Sequence, residues 1–146
     1  MTDYGFKDKV VLIAGGAKNL GGLLSREVGR EGAKVVVHYN SDASRADAQD
    51  TVKAVQDLGG EAYMTQGDLT RPANVEALFQ EAKDKFGGID IAINTVGKVL
   101  RKPIMETSED EYDSMFDINA KSAYFFIKEA GKHLNDNGKI VTVLTS

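Results

Sequence analysis

Short apolar runs alternate with amphipathic stretches along the whole chain, and this alternation restricts the fold more than any other feature. Each run has the length of a buried strand, and the stretches between them repeat apolar residues at helical spacing. This is the βαβ pattern of a parallel sheet with helices on both faces, so we predict a doubly wound α/β fold. The predicted strands are 9–14, 34–39, 61–66, 89–94 and 139–145, and the predicted helices are 20–32, 44–58, 72–86, 108–116 and 118–134.

The first predicted helix is unusually rich in glycine. Its predicted apolar stripe consists of Leu20, Leu23, Leu24 and Val28. Glycines at 21, 22 and 29 lower the helix propensity of the same segment, so they need a packing or ligand reason. The fourth predicted helix opens with Ser108 and Glu111 at the spacing of a capping box.

Composition excludes several classes of protein. The chain has no cysteine, which excludes disulfides, zinc–thiolate sites and thiol catalysis in these residues. A net charge of -4, without a lysine or arginine cluster, disfavours a nucleic-acid or membrane partner. No apolar run is long enough to span a bilayer and no secretory signal opens the chain, so we expect a cytoplasmic protein. The two histidines, His38 and His133, are far apart in sequence and predict no metal site.

The segment between the first strand and the first helix reads AGGAKNLGG over residues 14–22. Glycines let the backbone approach a pyrophosphate closely, and the N-terminus of the following helix favours an anion. The segment therefore predicts a Rossmann-type dinucleotide site. The alternative is that these glycines make only a tight turn from strand to helix.

This loop resembles the fingerprint Thr-Gly-x-x-x-Gly-x-Gly of the short-chain dehydrogenase/reductase family. Gly15 and Gly21 match the outer glycines, while Ala14 replaces the threonine and Asn19 the middle glycine. Asparagine is a reasonable replacement because it tolerates left-handed backbone better than most residues. The resemblance implies that the cofactor is bound by Gly15, Lys18, Asn19, Leu20 and Gly21.

Further matches follow at the intervals of the same family, and the resemblance extends over essentially the whole chain. Asp68 and Leu69 look like its acidic–aliphatic pair, which implies contacts with adenine, although a helix-capping Asp68 is an alternative. Asn94 and Gly97 match its Asn-Asn-Ala-Gly turn, which implies a contact with the cofactor ribose.

Two residues are implied to be catalytic. Asn119 coincides with the asparagine that distorts a helix and holds a water in the family's proton relay, and its alternative role is a helix N-cap. Ser146, or Thr145 one place earlier, falls on the serine that polarises the substrate carbonyl. The family's acid/base pair, Tyr-x-x-x-Lys, is expected shortly after this serine. Tyr124 and Lys128 have that spacing but precede the last strand, so we interpret them as packing and solvated residues.

The end of the second strand favours NADP over NAD. An acidic residue there would bind the ribose 2′-hydroxyl of NAD, but the sequence carries Tyr39, Asn40 and Ser41 instead. Lys18, Ser41 and Arg45 could surround a 2′-phosphate through charge-assisted hydrogen bonds. Tyr39 and Ser41 are therefore added to the predicted cofactor-binding residues.

The resemblance implies an NADP-dependent oxidoreductase that reduces a carbonyl to a secondary alcohol, similar to 3-oxoacyl-carrier-protein reductases. It also implies a small-molecule substrate and a homodimer or homotetramer. The alternatives are a non-catalytic NADP-binding regulator, or an unrelated flavodoxin-like binding module. Lys98, Arg101 and Lys102 form either a contact for an acidic substrate or carrier, or simply a solvated loop.

The length of the chain adds one expectation. There is room for a single domain and core in 146 residues, and the chain stops directly after 139–145, which reads as a buried strand. We therefore expect residues 1–146 to be a dinucleotide-binding domain truncated within or just after its fifth strand. It would then be incomplete at the C-terminal side and would lack the Tyr-x-x-x-Lys pair.

Overall fold

The computed structural model describes residues 3–144, which form a parallel sheet covered by helices on both faces. The strands are β1 (Val10–Ala14), β2 (Lys34–Tyr39), β3 (Glu61–Gln66), β4 (Ile91–Asn94) and β5 (Lys139–Thr142). The helices are α1 (Asn19–Arg30), α2 (Arg45–Asp57), α3 (Pro72–Phe86), α4 (Glu109–Phe116) and α5 (Ser122–His133). The doubly wound fold, with five strands and five α-helices, is thus confirmed within the described residues.

The strand order is β3-β2-β1-β4-β5, and every pairing is parallel. The chain builds outward from β1 through β2 to β3, and then crosses back to β4 and β5. The direction of winding therefore reverses between β1 and β4, where a ligand crevice opens beyond the carboxyl ends of the strands.

Alternate residues of β1 lie in two separate cores. Val10, Leu12 and Ala14 belong to the core that packs against α3 and α5. Val11 and Ile13 belong to the core against α1 and α2. Because successive side chains of a strand point to opposite faces, a central strand covered on both sides must be apolar throughout.

The predicted apolar stripe of α1 is wrong in part. Leu20 and Leu23 are 47% and 56% exposed, whereas Gly21, Gly22 and Gly29 are buried. A Cβ at Gly29 would lie 2.7 Å from Cγ1 of Val55, so the glycine face is what lets α1 approach α2. Close packing of the backbone, rather than burial of leucine, decides the orientation of this helix.

The prediction that the fifth strand is buried is also wrong for the described residues. β5 ends at Thr142, and its Ile140 and Val141 are 40% and 45% exposed. Within residues 3–144, β5 is an edge strand that pairs with β4 on one side only, which leaves its apolar side chains accessible.

The predicted boundary between the fourth and fifth helices is a π-helical segment, Asp117–Lys121, which joins α4 to α5. The predicted capping box is confirmed, with Ser108 and Glu111 bonded reciprocally at the start of α4. In the part of the chain that the structure describes, no helix is both long and apolar enough to cross a membrane.

Candidate nucleotide-binding and active site

A cleft of about 370 Å³ opens at the carboxyl ends of β1, β2 and β4, at the point where the winding reverses. Seven of the predicted cofactor-binding residues line it: Gly15, Lys18, Asn19, Leu20, Gly21, Tyr39 and Gly97. Two more line adjoining cavities: Asp68 below the end of β3, and Asn94 beside β5. Ser41 and Leu69 lie outside these linings within residues 3–144.

The glycine loop, residues 14–22, has the backbone conformation that its sequence predicts. Gly15 and Asn19 have φ angles of +73° and +51°, the left-handed region that glycine and asparagine tolerate. A Cβ at Gly21 would collide with the carbonyl oxygen of Gly15. The substitution of Asn19 for the family's middle glycine is therefore compatible with the loop, and glycine at 21 is a steric requirement.

Side chains from three elements hold the carbonyl groups of this loop. The Thr95 hydroxyl, after β4, donates to the carbonyl oxygen of Ala14 at 2.8 Å. The Ser25 hydroxyl of α1 lies 2.9 Å from the carbonyl oxygens of Gly16 and Gly21. The Thr51 hydroxyl of α2 donates to the carbonyl oxygen of Ala17 at 2.7 Å. The loop is thus fixed in shape before any ligand arrives.

His38 holds the same loop from β2. Its Nδ1 accepts a hydrogen bond from the N–H of Gly15 at 3.0 Å, and its Nε2 lies 2.7 Å from the carbonyl oxygen of Gly67. The side chain is buried, and this burial lowers the pKa of His38 from 6.5 to about 4. His38 is therefore a neutral, structural residue.

The N-terminus of α1 faces the cleft and fits an anion. Lys18 is its N-cap residue in an extended conformation, without a side-chain cap, and no acidic residue occupies the first turn. The first N–H groups of a helix have no intrahelical partner and carry a partial positive charge. The Lys18 ammonium lies 3.8 Å from the Asp47 carboxylate, with both side chains about half exposed, so this weak pair leaves Lys18 available to a phosphate.

The end of β2 carries no carboxylate, and its last residue borders the cleft. Tyr39 is buried and lines the cleft together with Asn40 and Ser44. Ser41 precedes a short 3-10 helix, Asp42–Ser44, and Arg45 is exposed at the start of α2. Ser44 is a lining residue that the sequence reasoning missed, because its place in the 3-10 turn has no clear sequence signal.

Asp68 and Leu69 follow β3 and differ in environment. Oδ1 of Asp68 accepts hydrogen bonds from the hydroxyl and the N–H of Thr70, at 2.7 and 3.0 Å. The hydroxyl bond is the main reason why the pKa of Asp68 is lowered. Leu69 is buried in the core that contains Ala14 and Val36. Asp68 thus organises the turn before α3, although the N-cap position of that helix is Arg71.

Asn94 ends β4 and fixes the turn that follows. The side chain is buried, and its Oδ1 accepts a hydrogen bond from the N–H of Val96 at 3.0 Å. Gly97 lies three residues after Asn94 on the same turn, where a Cβ would be 3.1 Å from Oδ1 of Asn119. The turn thereby brings the two predicted asparagines to one wall of the crevice, beside β5.

Asn119 lies inside the π-helical segment and bonds to the backbone of Lys98 twice. Its Oδ1 accepts from the Lys98 N–H at 2.9 Å, and its Nδ2 donates to the Lys98 carbonyl oxygen at 2.8 Å. The structure therefore shows a helix distortion at this residue and not an N-cap, in keeping with the role that the family resemblance implies. Nδ2 also donates to Sδ of Met115 at 3.9 Å, so Oδ1 is the amide atom that retains a further position, at which a bound water would donate.

The other predicted catalytic position, Ser146, lies outside the described residues, as does Thr145. Tyr124 and Lys128 lie on α5 and are both exposed, with the Lys128 ammonium 5.4 Å from the centre of the Phe125 ring. Phe125 itself packs against the core beneath α3 and α5. Lys128 is thus solvated as predicted, whereas Tyr124, at 66% exposure, is not packed into the core of the described residues.

The sequence reasoning missed the residues that hold the glycine loop. Ser25, Thr51 and Thr95 are single hydroxyls without a motif of their own, and their role depends on contacts between elements. The sequence also did not identify His38 as a partner of Gly15. The one sequence signal for this role was that His38 is a polar residue near the end of an otherwise apolar strand.

The chain is similar to a known protein family and to several curated proteins. The family model described as enoyl-(acyl carrier protein) reductase matches residues 15–146. The hydroxynaphthalene reductase-like protein Arp2 of Metarhizium brunneum is 35% identical over 140 residues, which are 96% of this chain and 52% of that protein. The short chain dehydrogenase mdpC of Emericella nidulans is 33% identical over 138 residues, which are 94% and 51% of the two proteins.

Two solved structures match nearly the whole chain. A protein from Burkholderia cenocepacia, described as a dehydrogenase and crystallised with bound NADP, is 61% identical with a TM-score of 0.94, covering 99% of this chain and 55% of its own. A short-chain dehydrogenase from Oenococcus oeni is 47% identical with a TM-score of 0.86, covering 99% and 65%. The chain spans about half the length of the curated relatives it matches.

Proposed function

The chain belongs to the short-chain dehydrogenase/reductase family, and from this membership we propose that residues 1–146 form the dinucleotide-binding domain of an NADP-dependent oxidoreductase. The reaction is the reduction of a carbonyl to a secondary alcohol. The observation that carries the proposal is the glycine loop, which is held by four side chains and leads into a helix N-terminus without acidic residues. Such a loop is preorganised for a pyrophosphate.

NADP is the proposed cofactor for a reason of charge. The end of β2 offers no carboxylate to a ribose 2′-hydroxyl, and Lys18 lies beside the cleft to meet a 2′-phosphate. Ser41 and Arg45 lie next to this place along the chain. The Burkholderia cenocepacia protein, which has NADP bound, supports the same choice.

The residues of this chain are assigned the following roles. NADPH, when bound, supplies the hydride that reaches the carbonyl carbon. Gly15, Asn19 and Gly21 admit its pyrophosphate to the N-terminus of α1, and Asp68 receives the adenine while Leu69 anchors this pair in the core. Asn94 fixes the turn that meets the ribose, and Asn119 holds a water for proton transfer. The Ser146 hydroxyl donates a hydrogen bond to the substrate oxygen as negative charge develops there.

The finer proposal is a substrate similar to that of 3-oxoacyl-carrier-protein reductases. The description of the matching family model, which names an acyl carrier protein, supports it. Lys98 and Arg101 are exposed on the loop after β4 and suit an acidic carrier, whereas Lys102 is engaged by Glu111 at 2.9 Å. We also propose that the protein is located in the cytoplasm.

The test is consumption of NADPH with a 3-oxoacyl thioester and with cyclic ketones, using the protein that the complete gene encodes. We expect NADPH oxidation and a secondary alcohol as product. If the protein binds NADPH but oxidises it with none of these carbonyl compounds, the result would instead favour a non-catalytic regulator.

A homodimer or homotetramer is also proposed, with α4 and α5 in the contact. These helices expose Tyr112, Phe116, Tyr124 and Ile127, which together form the helical apolar surface. Exposed apolar patches of this kind commonly mark contacts between subunits.

A further inference from the structure

The imidazole of His38 contacts two segments of the cofactor site at once. Nδ1 lies 3.0 Å from the backbone nitrogen of Gly15 in the glycine loop, and Nε2 lies 2.7 Å from the carbonyl oxygen of Gly67. Gly67 directly precedes Asp68, which is assigned to adenine. One side chain thus connects the phosphate end of the site to its adenine end.

The partners determine where the proton of this imidazole lies. The N–H of Gly15 can only donate, so Nδ1 must be unprotonated, and the carbonyl of Gly67 can only accept, so Nε2 must carry the proton. Burial favours the same neutral form, since it lowers the pKa of His38 to about 4. The charged groups that line the cavities beside His38 are Lys18 and Lys98 on one side and Asp68 and Glu81 on the other.

Resting on the proposed function, we propose that His38 is a positioning residue for dinucleotide binding: Gly67 fixes its tautomer, and Nδ1 then holds Gly15 in the conformation that receives the pyrophosphate. Gly15 has φ +73°, and its neighbour Gly16 donates its N–H to the carbonyl oxygen of residue 38 at 2.9 Å. That backbone bond does not depend on the side chain. Substitution of His38 therefore alters the side-chain bonds to Gly15 and Gly67 and leaves this backbone bond in place.

Two substitutions separate this role from simple filling of space. In His38→Asn, the side-chain oxygen occupies the position of Nδ1 and still accepts from Gly15, although the residue is smaller. In His38→Gln, the size is closer to histidine, but the amide group occupies the position of Nε2 and leaves the Gly15 N–H without a partner. A positioning role predicts that His38→Asn retains more of the NADPH affinity. A packing role predicts that His38→Gln retains more of it.

The experiment measures NADPH dissociation constants by calorimetry for the wild type, both variants and the control His133→Asn. We expect a change within about threefold for His38→Asn and a loss of at least about tenfold for His38→Gln, the effect of one buried donor left unpaired. The control should match the wild type. Equal affinity of the two variants, or a tighter His38→Gln, would overturn the role of His38, whereas a wild type that fails to bind NADPH would overturn the proposed function itself and the role with it.

A second measurement decides the matter if a variant does not fold. Long-range ¹⁵N spectra of the imidazoles, assigned through the contacts of the His38 ring with Gly15 and Gly67, report the tautomer of His38 directly. We expect the proton on Nε2 at neutral pH, in the free protein and with NADPH. A proton on Nδ1 would overturn the proposal, because such an imidazole cannot accept from Gly15.

Discussion

Gly21 lies where α1 approaches the glycine loop, and its lack of a side chain is a steric necessity. A Cβ there would meet the carbonyl oxygen of Gly15 and would lie 2.8 Å from Oγ1 of Thr95. Both neighbours are part of the hydrogen-bonded frame of the cleft. A side chain added at position 21 should therefore disturb both folding and ligand binding.

We predict that Gly21→Ala lowers the free energy of unfolding by about 1–3 kcal/mol, the usual cost of overpacking, and weakens NADPH binding. Gly131→Ala is the control, since Gly131 lies in α5 with open space around its Cα, and alanine there should stabilise the helix by up to about 1 kcal/mol. Urea unfolding and calorimetry provide the measurements. A Gly21→Ala protein that equals the wild type in both would contradict the steric argument.

His38 links the stability of the protein to pH. An unfolded histidine takes up a proton near pH 6.5, whereas the buried His38 stays neutral until about pH 4. Its contribution to stability is fully present above pH 6.5 and is lost as the pH falls toward 4, because only the unfolded state binds the proton in that window.

The expected loss from this residue is about 3 kcal/mol between pH 7 and pH 4. Because carboxylates also titrate in that range, the quantity to measure is the difference in unfolding free energy between the wild type and His38→Asn at each pH. That difference should fall with acidification. A difference independent of pH would show that His38 is not buried in its neutral form.

At the scale of elements, the periodicity of the sequence was sufficient for the strands and for most helices. It failed for α1, because a hydrophobic stripe assumes that the helix buries its largest side chains. Here the helix must lie close to the loop and to Val55, so its glycines face inward and Leu20 lines the cleft. It failed for β5 because apolar composition does not reveal that this strand pairs with β4 alone within residues 3–144.

The π-helical segment is the element that gives Asn119 its position. An extra residue in this turn lets the Asn119 amide bond to both backbone groups of Lys98. The sequence predicted a break between two helices near this point and could not show that the chain stays helical through it.

We predict that Asn119→Ala makes the Lys98 amide exchange its hydrogen about fivefold faster, the equivalent of one net hydrogen bond of about 1 kcal/mol. NADPH binding should change little, while turnover should fall, since the water assigned to Asn119 would lose its support. The control is Asp117→Asn, in the same segment but paired with Lys121 at the surface. Unchanged exchange at Lys98 would contradict the hydrogen bonds.

At the scale of the whole molecule, the sequence was sufficient for the fold class and for seven of the residues that line the cleft, because the motifs follow strands whose ends meet at one edge. The frame behind the cleft could not be predicted. Ser25, Thr51 and Thr95 come from different elements, and their hydroxyls acquire a role only when the fold brings them to the loop.

The helical apolar surface carries a prediction about assembly. We expect the protein to form a homodimer or homotetramer, and Tyr124→Lys to weaken that assembly by placing charges in the contact. Tyr4→Lys is a matched control, since the two tyrosines are 66% and 68% exposed. Light scattering after gel filtration measures the mass. A monomeric wild type, or an assembly indifferent to Tyr124→Lys, would contradict this surface.

The central claim is that the cleft between β1 and β4 binds NADP through the glycine loop and without an acidic residue at the end of β2. Calorimetric titration of the protein with NADPH and with NADH tests it most directly. The account predicts binding of both, with NADPH clearly tighter. Tighter binding of NADH, or binding of neither nucleotide, would contradict it.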